Sequence, residues 1–594
     1  MVRPLRARRP RAWFGVLLLL LAGSPAAVRP PAAAPVAVIL HGGSAAQAAG
    51  AVQAAGGTVT QQFSSIPGVA AIVPAAALPG LRARGFQVTA DAPAIQSADL
   101  PLGRIPDEAT AEGAPTDQDP ALLYPSMATG AALLHQDDIN GQGVTVAVID
   151  SGLPPMLQPW TQVTSTTLEY RVAGVARLVY RDFVAPGPVA NSSDPYGHGT
   201  HVAATIGDGR KVPGGPNGWP LTPGAKSTLG LAPNVNLVVA RALDGEGQAP
   251  YSRVIAAIDW IIANKTRYNI SVLNLSLQAP IHGPYWHDPL AQAVMAAWAE
   301  GITVVVAAGN TGPAPATITV PGNVPYVITV GALKPGLYTA SHHDELAYYS
   351  AAGPTESKFI KPDVVIAGSR VIAPLPTDSA LVGAAGLAKE RAQLDLGSMR
   401  STQNLAYYYL SGTSMAAAEV SGIVALIKQQ QPNLTNDQIK YRLTLTAETA
   451  MRAPDEPAYA IWQQGAGRVN VADAVLGIST AAANEGMDIA LDRDHESGTH
   501  YMGSTAYDPA TDTMYIDGEP VEGGSYQSWA GSYQSWAGSY QSWAGSYQSW
   551  AGNAPTWASG TSVWSSSYPS WSGSLPADPA RQRLYLPAVT FRRR

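Results

Sequence analysis

The chain contains no cysteine in 594 residues. Disulfides and thiol-ligated metals are therefore excluded, and stability must come from packing. Charge is sparse, at 13% of residues, and the formal net charge is −6. The basic excess that marks a nucleic-acid binder is missing, so no nucleic acid is expected as a partner. Long apolar runs are missing too. The longest candidate, Phe14–Ala22, is too short to cross a bilayer in the usual way. It follows Arg3, Arg6, Arg8, Arg9 and Arg11 and precedes the small residues Gly23, Ser24, Ala26 and Ala27. A basic stretch, a short apolar stretch and a small-residue zone read as a secretory signal over residues 1–30. Its removal, with six arginines and no acid, takes the net charge from −6 to −12. The expected product is acidic, secreted or extracellular, and without a membrane span.

What is present is apolar sequence, 46% of the residues, enough for a large domain with satellites. Residues 35–93 read as a small unit of order βαββαβ: "PVAVILH", a helix capped by Ser44, "TVTQQFS", "GVAAIVP", a short helix and "FQVTADA". That order is the split, ferredoxin-like one. Residues 94–123 carry Pro, Asp, Glu and Gly without periodicity, which marks a linker. From 124 to 479, continuous apolar runs such as Val144–Ile149, Asn236–Leu243, Ile270–Leu277, Ile302–Ala308 and Tyr326–Ala332 alternate with helical patterns. The fold class expected is α/β, a doubly wound and mostly parallel sheet covered on both faces. Residues 480–523 read as an acidic transition segment. In 524–572 "GSYQSWA" repeats four times and tryptophans recur every seven residues from Trp529 to Trp571, a low-complexity stretch followed by a tail at 573–594.

In a parallel sheet, ligands gather beyond the carboxyl ends of the strands. There "VTVAVI" ends at Asp150 and "ITVVVAAG" at Asn310, while "YGHGTHVAATIG" opens a helix at His198 and "SMAAAEVSGIVALIKQQQ" opens one at Ser414. Taken singly, each has a plainer reading: a turn acid, a turn amide, a capping histidine or half of a metal pair with His201, a serine cap. Together they hold an acid to orient an imidazole, a base to activate a hydroxyl, and an amide to stabilise an oxyanion.

The blocks "VAVIDSG", "GHGTHVA", "VVVAAGN" and "GTSMA" resemble the signature blocks of the subtilisin-like serine proteases, in the order Asp, His, Ser. "GLAPNVNLVVARAL", "NLSLQAP", "PGNVPYVITVGA", "KPDVVIAG" and "GAGRVNVADAV" extend the resemblance across Gly141–Val475. It implies a secreted serine endopeptidase acting on protein or peptide substrates. Asp150 would orient His198, His198 would serve as base and then acid, Ser414 would be the nucleophile, and Asn310 would line the oxyanion hole. Ser276, Leu277 and Gln278 with Ala307, Ala308 and Gly309 would form the substrate-binding walls. These are small or apolar, so a large apolar residue is expected before the scissile bond. No cofactor is required for the chemistry, and the calcium sites common in the family are not placed on particular residues. The unit at 35–93 resembles the family's propeptides, which implies an intramolecular inhibitor removed by self-cleavage within the linker. Two departures stand out: Ala418 and Glu419 where a proline is usual, and Gln278–Ala279 where a Gly-Gly pair is usual. Rival readings are an idle adhesin working through its aromatic repeats, and a metal hydrolase using His342, His343, Asp344 and Glu345.

Overall fold

Strand alternation organises the first unit. Strands β1 (Pro35–His41), β2 (Thr58–Gln62), β3 (Gly68–Pro74) and β4 (Gln87–Ala90) form an antiparallel sheet in the order β2-β3-β1-β4, with helices α1 (Ala45–Ala54) and α2 (Leu78–Ala83) in the connections. Helix α1 starts where the sequence predicts. The Ser44 hydroxyl accepts from Gln47 N–H and the Gln47 side chain accepts from Ser44 N–H, a capping box. Val38, Leu40, Val69, Ala71 and Val73 pack with Ala48, Val52 and Leu81 in a core of their own. Their alternates Ile39 and Ala70 join the larger core instead, with Phe63 and Ile66. Successive strand residues point to opposite faces, so this sheet is closed on one face by its own helices and on the other by the main domain. The computed structural model describes residues 34–98 and 124–521, apart from 156–159, 165, 186, 211–227, 336–343, 384–403, 454–455, 495–496, 512 and 517. The expected signal at 1–30, the linker from 99 to 123, the repeats at 524–572 and the tail at 573–594 lie outside the described residues.

Next in the chain come β5 (Pro93–Ser97), β6 (Thr145–Asp150), β7 (Gln162–Val163), β8 (Thr167–Val172), β9 (Val175–Asp182), β10 (Asn236–Arg241), β11 (Gln248–Pro250), β12 (Ile270–Leu275), β13 (Leu277–Gln278), β14 (Thr303–Ala307), β15 (Ile328–Lys334), β16 (Glu345–Leu346) and β17 (Val364–Ala367). Seven of these run parallel in the order β9-β10-β6-β12-β14-β15-β17, with β16 and the β7–β8 ribbon antiparallel at the margins. The chain fills one side of β6 and then crosses to the other, so the order reverses at β6, where such sheets place their ligands.

One helix, Thr413–Gln430, packs on β12, β14 and β15 and on the helix His198–Gly207. Every residue of it from Thr413 to Ile427 is buried. A helix apolar all round belongs inside a large core, and small residues let its neighbours close in. At Gly422 an added Cβ would lie 2.4 Å from the Leu231 Cβ.

Three segments differ from the sequence reading. Residues 93–97, at the supposed start of a linker, are a strand. The ribbon β7–β9 was not foreseen, because its strands are partly exposed and carry charges. Residues 480–521, read as an acidic transition, form a helix at Ile489–Arg493 and a three-stranded antiparallel sheet at Thr505–Asp508, Thr513–Ile516 and Glu519–Val521. That segment is anchored by buried groups. Asp492 accepts from the hydroxyls of Tyr285 (2.5 Å) and Tyr326 (3.0 Å), and Tyr501 is buried. The hairpin of Val371–Pro376 and Leu405–Leu410 packs against the His198 helix.

At the departure from the usual proline, Glu419 is buried. Desolvation pushes its carboxyl well above the ordinary 4.5, with Arg468 opposing and Asp344 adding to the shift. Unfolded chains release this proton near the ordinary value, whereas the fold retains it, so stability falls as pH rises above about 4.5, by at most about 1.4 kcal/mol per pH unit for one proton. In an inactive Ser414→Ala background, Glu419→Gln is expected to raise the melting temperature, by a margin that grows from about pH 5 to about pH 8. A margin independent of pH in thermal melts would contradict a protonated Glu419.

Candidate active site

Asp150 is the last residue of β6, at the point where the sheet order reverses. Its Oδ1 accepts from Ser151 N–H at 2.7 Å and lies 2.8 Å from His198 Nδ1. Both side chains are fully buried. His198 is the first residue of its helix, entered through Gly197 at φ +104°. What fixes that entrance is Asp194, which the sequence reading missed. It accepts from Ser151 Oγ (2.8 Å), Gly197 N–H (2.8 Å), Thr200 N–H (2.8 Å) and Thr200 Oγ1 (2.5 Å). Burial pushes its carboxyl up, and the hydrogen bonds from Thr200, Gly197 and Ser151 pull it back. The signal was weak, since Asp194 stands three residues ahead of the N-cap position, which Gly197 holds. Gly199 N–H closes the loop by donating to Ser151 Oγ at 2.8 Å. A Cβ at Gly199 would lie 2.6 Å from backbone atoms of Gly152, so glycine here lets the acid and the imidazole meet.

His201, the other half of the supposed metal pair, is buried one turn on, with Nε2 3.2 Å from the Val371 carbonyl. Burial first, and His198 second, push its imidazole down to about 3. It is a neutral core histidine facing a different partner from His198. Of the rival metal run, Asp344 pairs with Arg468 at 3.3 Å, and His342 and His343 lie outside the described residues. Among the described residues, no three His, Asp or Glu side chains gather as a metal site.

Ser414 is the second residue of its helix and is fully buried. It is not the cap, because Gly412 holds that position. Its hydroxyl donates to the carbonyls of Ala98 (2.5 Å) and Ser276 (3.2 Å), and its N–H donates to the same Ala98 oxygen at 3.2 Å. Asn310 is oriented by its neighbour Thr413, whose N–H and hydroxyl both donate to Asn310 Oδ1 at 2.9 Å. The amide is thereby turned so that Nδ2 is the free end; it is buried and has no hydrogen-bond partner among the described residues. Ser276 Oγ, itself receiving a bond from Asn274 Nδ2, donates to the Ser414 carbonyl at 2.9 Å.

One expected wall, Ser276–Gln278, pairs with a strand of the chain itself. β5 lies antiparallel between β11 and β13, with Gln96 opposite Gln248 on one side and Gln278 on the other, and Ser97 opposite Leu277. Ser97 N–H donates to the Gly247 carbonyl (3.0 Å) and Ala98 N–H to that of Ser276 (3.1 Å). This is recognition by strand addition, in which backbone bonds hold the peptide and alternate side chains are sorted by pockets. Gln278 Oε1 accepts from Asn310 N–H at 3.0 Å. Ala307 and Leu277 are buried in the main core, Ala308 packs on Ile318 and Ala351, and Gly309 N–H donates to Thr413 Oγ1 at 3.2 Å. An acid–imidazole pair, a serine carrying a peptide carbonyl and an amide donor beside it together suit acyl transfer from a peptide.

Comparison with known proteins agrees. Residues 141–474 match the Subtilase family. The chain is 32% identical over 354 residues to serine protease AprX of Bacillus subtilis, covering 57% of this chain and 67% of that protein. It is 29% identical over 325 residues to subtilisin DY of Bacillus licheniformis, covering 54% and 90% respectively. Among solved structures, fervidolysin from Fervidobacterium pennivorans, described as a keratinolytic enzyme related to subtilisin, shares the fold with a TM-score of 0.52 at 21% identity. That match covers 76% of this chain and 62% of the other.

A donor that engages only as negative charge develops raises turnover without tightening substrate binding. Asn310→Ala is therefore expected to lower kcat by on the order of 10²–10³ while KM stays similar. Steady-state kinetics on a peptide substrate whose chemical step limits turnover would decide, and an unchanged kcat would remove Asn310 from the mechanism.

Proposed function

The chain belongs to the subtilase family and is a serine endopeptidase, and from that premise we propose that it is made as a secreted, self-inhibited precursor that cuts itself after Ala98. Asp150 holds His198 by Nδ1, which leaves Nε2 to take the Ser414 proton as Oγ attacks the carbonyl carbon. The oxygen becomes an oxyanion between Ser414 N–H and Asn310 Nδ2. On collapse, His198 returns the proton to the departing amine, and the acyl group stays on Ser414 Oγ. Water then repeats the sequence, deprotonated by His198, and frees the carboxylate and the hydroxyl. Ser276–Gln278 and Gly247–Pro250 hold the peptide as an added strand.

One observation carries the self-processing reading: the Ala98 carbonyl rests on Ser414 N–H and Oγ while residues 93–97 are paired into the cleft. The unit at 35–93 supports it further. Its antiparallel sheet, in the order β2-β3-β1-β4, suits the βαββαβ unit expected of a propeptide, and it is fastened to the main domain by polar as well as apolar contacts. Asp259 accepts from Ser64 N–H (2.9 Å) and Ser65 N–H (2.7 Å), and Asp91 accepts from Ser252 N–H (2.9 Å) at the start of the helix Tyr251–Ala263. Secretion rests on the basic-then-apolar segment at 1–30. Among the described residues, no helix is long and apolar enough to cross a membrane.

The test is intact mass and N-terminal sequencing of the full chain expressed in a protease-deficient host. Wild type is expected to yield a new N-terminus at Asp99, and Ser414→Ala to remain one folded chain by circular dichroism. His198→Ala should behave like Ser414→Ala, because the hydroxyl then lacks its base. A folded Ser414→Ala protein still cut at that bond would show that another protease does the cutting.

A further inference from the structure

We propose that Gln278 is a specificity-determining residue: it bars the primary subsite and restricts the position before the scissile bond to small side chains such as Ala, Ser or Gly. The inference deepens the reading of Ser414 as the nucleophile and of Ala98 as the residue presented to it, and rests on that reading.

The small and apolar walls, read from sequence, suggested a wide subsite for a large apolar residue. The structure places something across it. Gln278 belongs to the wall that pairs with the docked strand, yet its carboxamide reaches the opposite wall, where Oε1 accepts from Asn310 N–H at 3.0 Å. The residue is only 7% exposed. It is a crossbar between Ser276–Gln278 and Ala307–Asn310. A glycine at this position would leave the space between the walls open.

Nor can the far wall retreat. Ala308 N–H donates to the Val330 carbonyl (3.0 Å), and Thr319 N–H donates to the Ala308 carbonyl (3.0 Å). At Gly309 a Cβ would lie 2.6 Å from the Thr319 side chain, so nothing larger lines that edge. Admitting an aromatic ring would expel the carboxamide and leave Asn310 N–H, a part-buried donor, facing an apolar group that cannot replace the bond. The residue the cleft actually holds agrees: Ala98 is fully buried with a single methyl, and its carbonyl sits on Ser414 N–H.

The experiment uses the processed enzyme from the full chain, with active sites titrated by a fluorophosphonate, and two peptide anilides, Ile-Gln-Ser-Ala and Ile-Gln-Ser-Phe, built on residues 95–98. The readout is the ratio of kcat/KM for Phe over Ala, in which any loss of folded enzyme cancels. Wild type is expected to favour Ala at least about tenfold, and Gln278→Gly to raise the ratio at least about tenfold. A wild type that prefers Phe, or a Gln278→Gly ratio equal to that of wild type, would overturn the proposal. A second measurement works within the chain. Ala98→Phe should slow loss of the N-terminal unit, and Ala98→Phe combined with Gln278→Gly should restore it. Equal processing of wild type and Ala98→Phe counts against Gln278. A wild type that is cut elsewhere than after Ala98 counts instead against the self-processing reading, and the anilide ratio then judges Gln278 by itself. Failure of the fluorophosphonate to label Ser414 would sink the nucleophile assignment and this inference with it.

Discussion

A hydrogen bond between two fully buried titratable groups, Asp150 and His198, is the constraint the rest of the structure serves. Oδ1 of the acid has two partners, while Oδ2 is buried without one among the described residues. Incomplete satisfaction of a buried carboxylate is costly, and removing one partner of such a pair costs more than the pair contributes. The fold therefore over-determines both ends. β6 is pinned between β10 and β12 in the middle of the sheet, which fixes Asp150. The Ser151–Asp194–Thr200 network ties the residue after the acid to the helix that carries the imidazole. Stability elsewhere offsets a local arrangement that chemistry requires and packing alone would not choose.

Closeness is the second demand, and it selects small residues. The His198 helix can touch the Asp150 loop because Gly199 has no Cβ, and the Ser414 helix can meet Leu231 because Gly422 has none. Ala418, one turn before Gly422, continues the same thin face. Interiors pack as densely as molecular crystals, so a single added methyl here would shift whole helices. The small residues at these contacts are thus the condition for bringing a strand end and two helix starts together.

These demands explain what was legible in the sequence. The β-branched runs ending at Asp150 and near Asn310 became β6 and β14, because strands buried on both faces must be continuously apolar. Asp150, His198, Asn310 and Ser414 could be read because each ends or starts a strongly patterned element. Asp194 escaped, and Gln278 was read as a wall residue without its bond to Asn310, since both partnerships lie far along the chain: a network through Ser151, and the N–H of Asn310. β5 escaped for a different reason. Nothing in Pro-Ala-Ile-Gln-Ser alternates, and its strand identity comes from the unpaired edges of β11 and β13 on either side. Residues 480–521 likewise carry too few apolar side chains to look folded. They are held by Asp492 beneath Tyr285 and Tyr326, a polar anchor that hydrophobic periodicity cannot reveal.

The cleft is then best understood as a sheet with a missing strand. An extended peptide fills it through backbone bonds, which is why one geometry serves both for binding substrate and for occupation by the chain's own residues 93–97. A short strand held only there would leave as readily as a product does. What sets residues 93–97 apart is their attachment to a unit with its own core and its own interface, through Phe63, Ile66, Asp91 and the loop clamped by Asp259. Attachment makes binding of the strand an intramolecular event at high effective concentration. Arg493, on the helix of the 480–521 segment, donates to the Ser65 carbonyl of that same loop at 3.0 Å. The N-terminal unit and the 480–521 segment therefore meet at one loop.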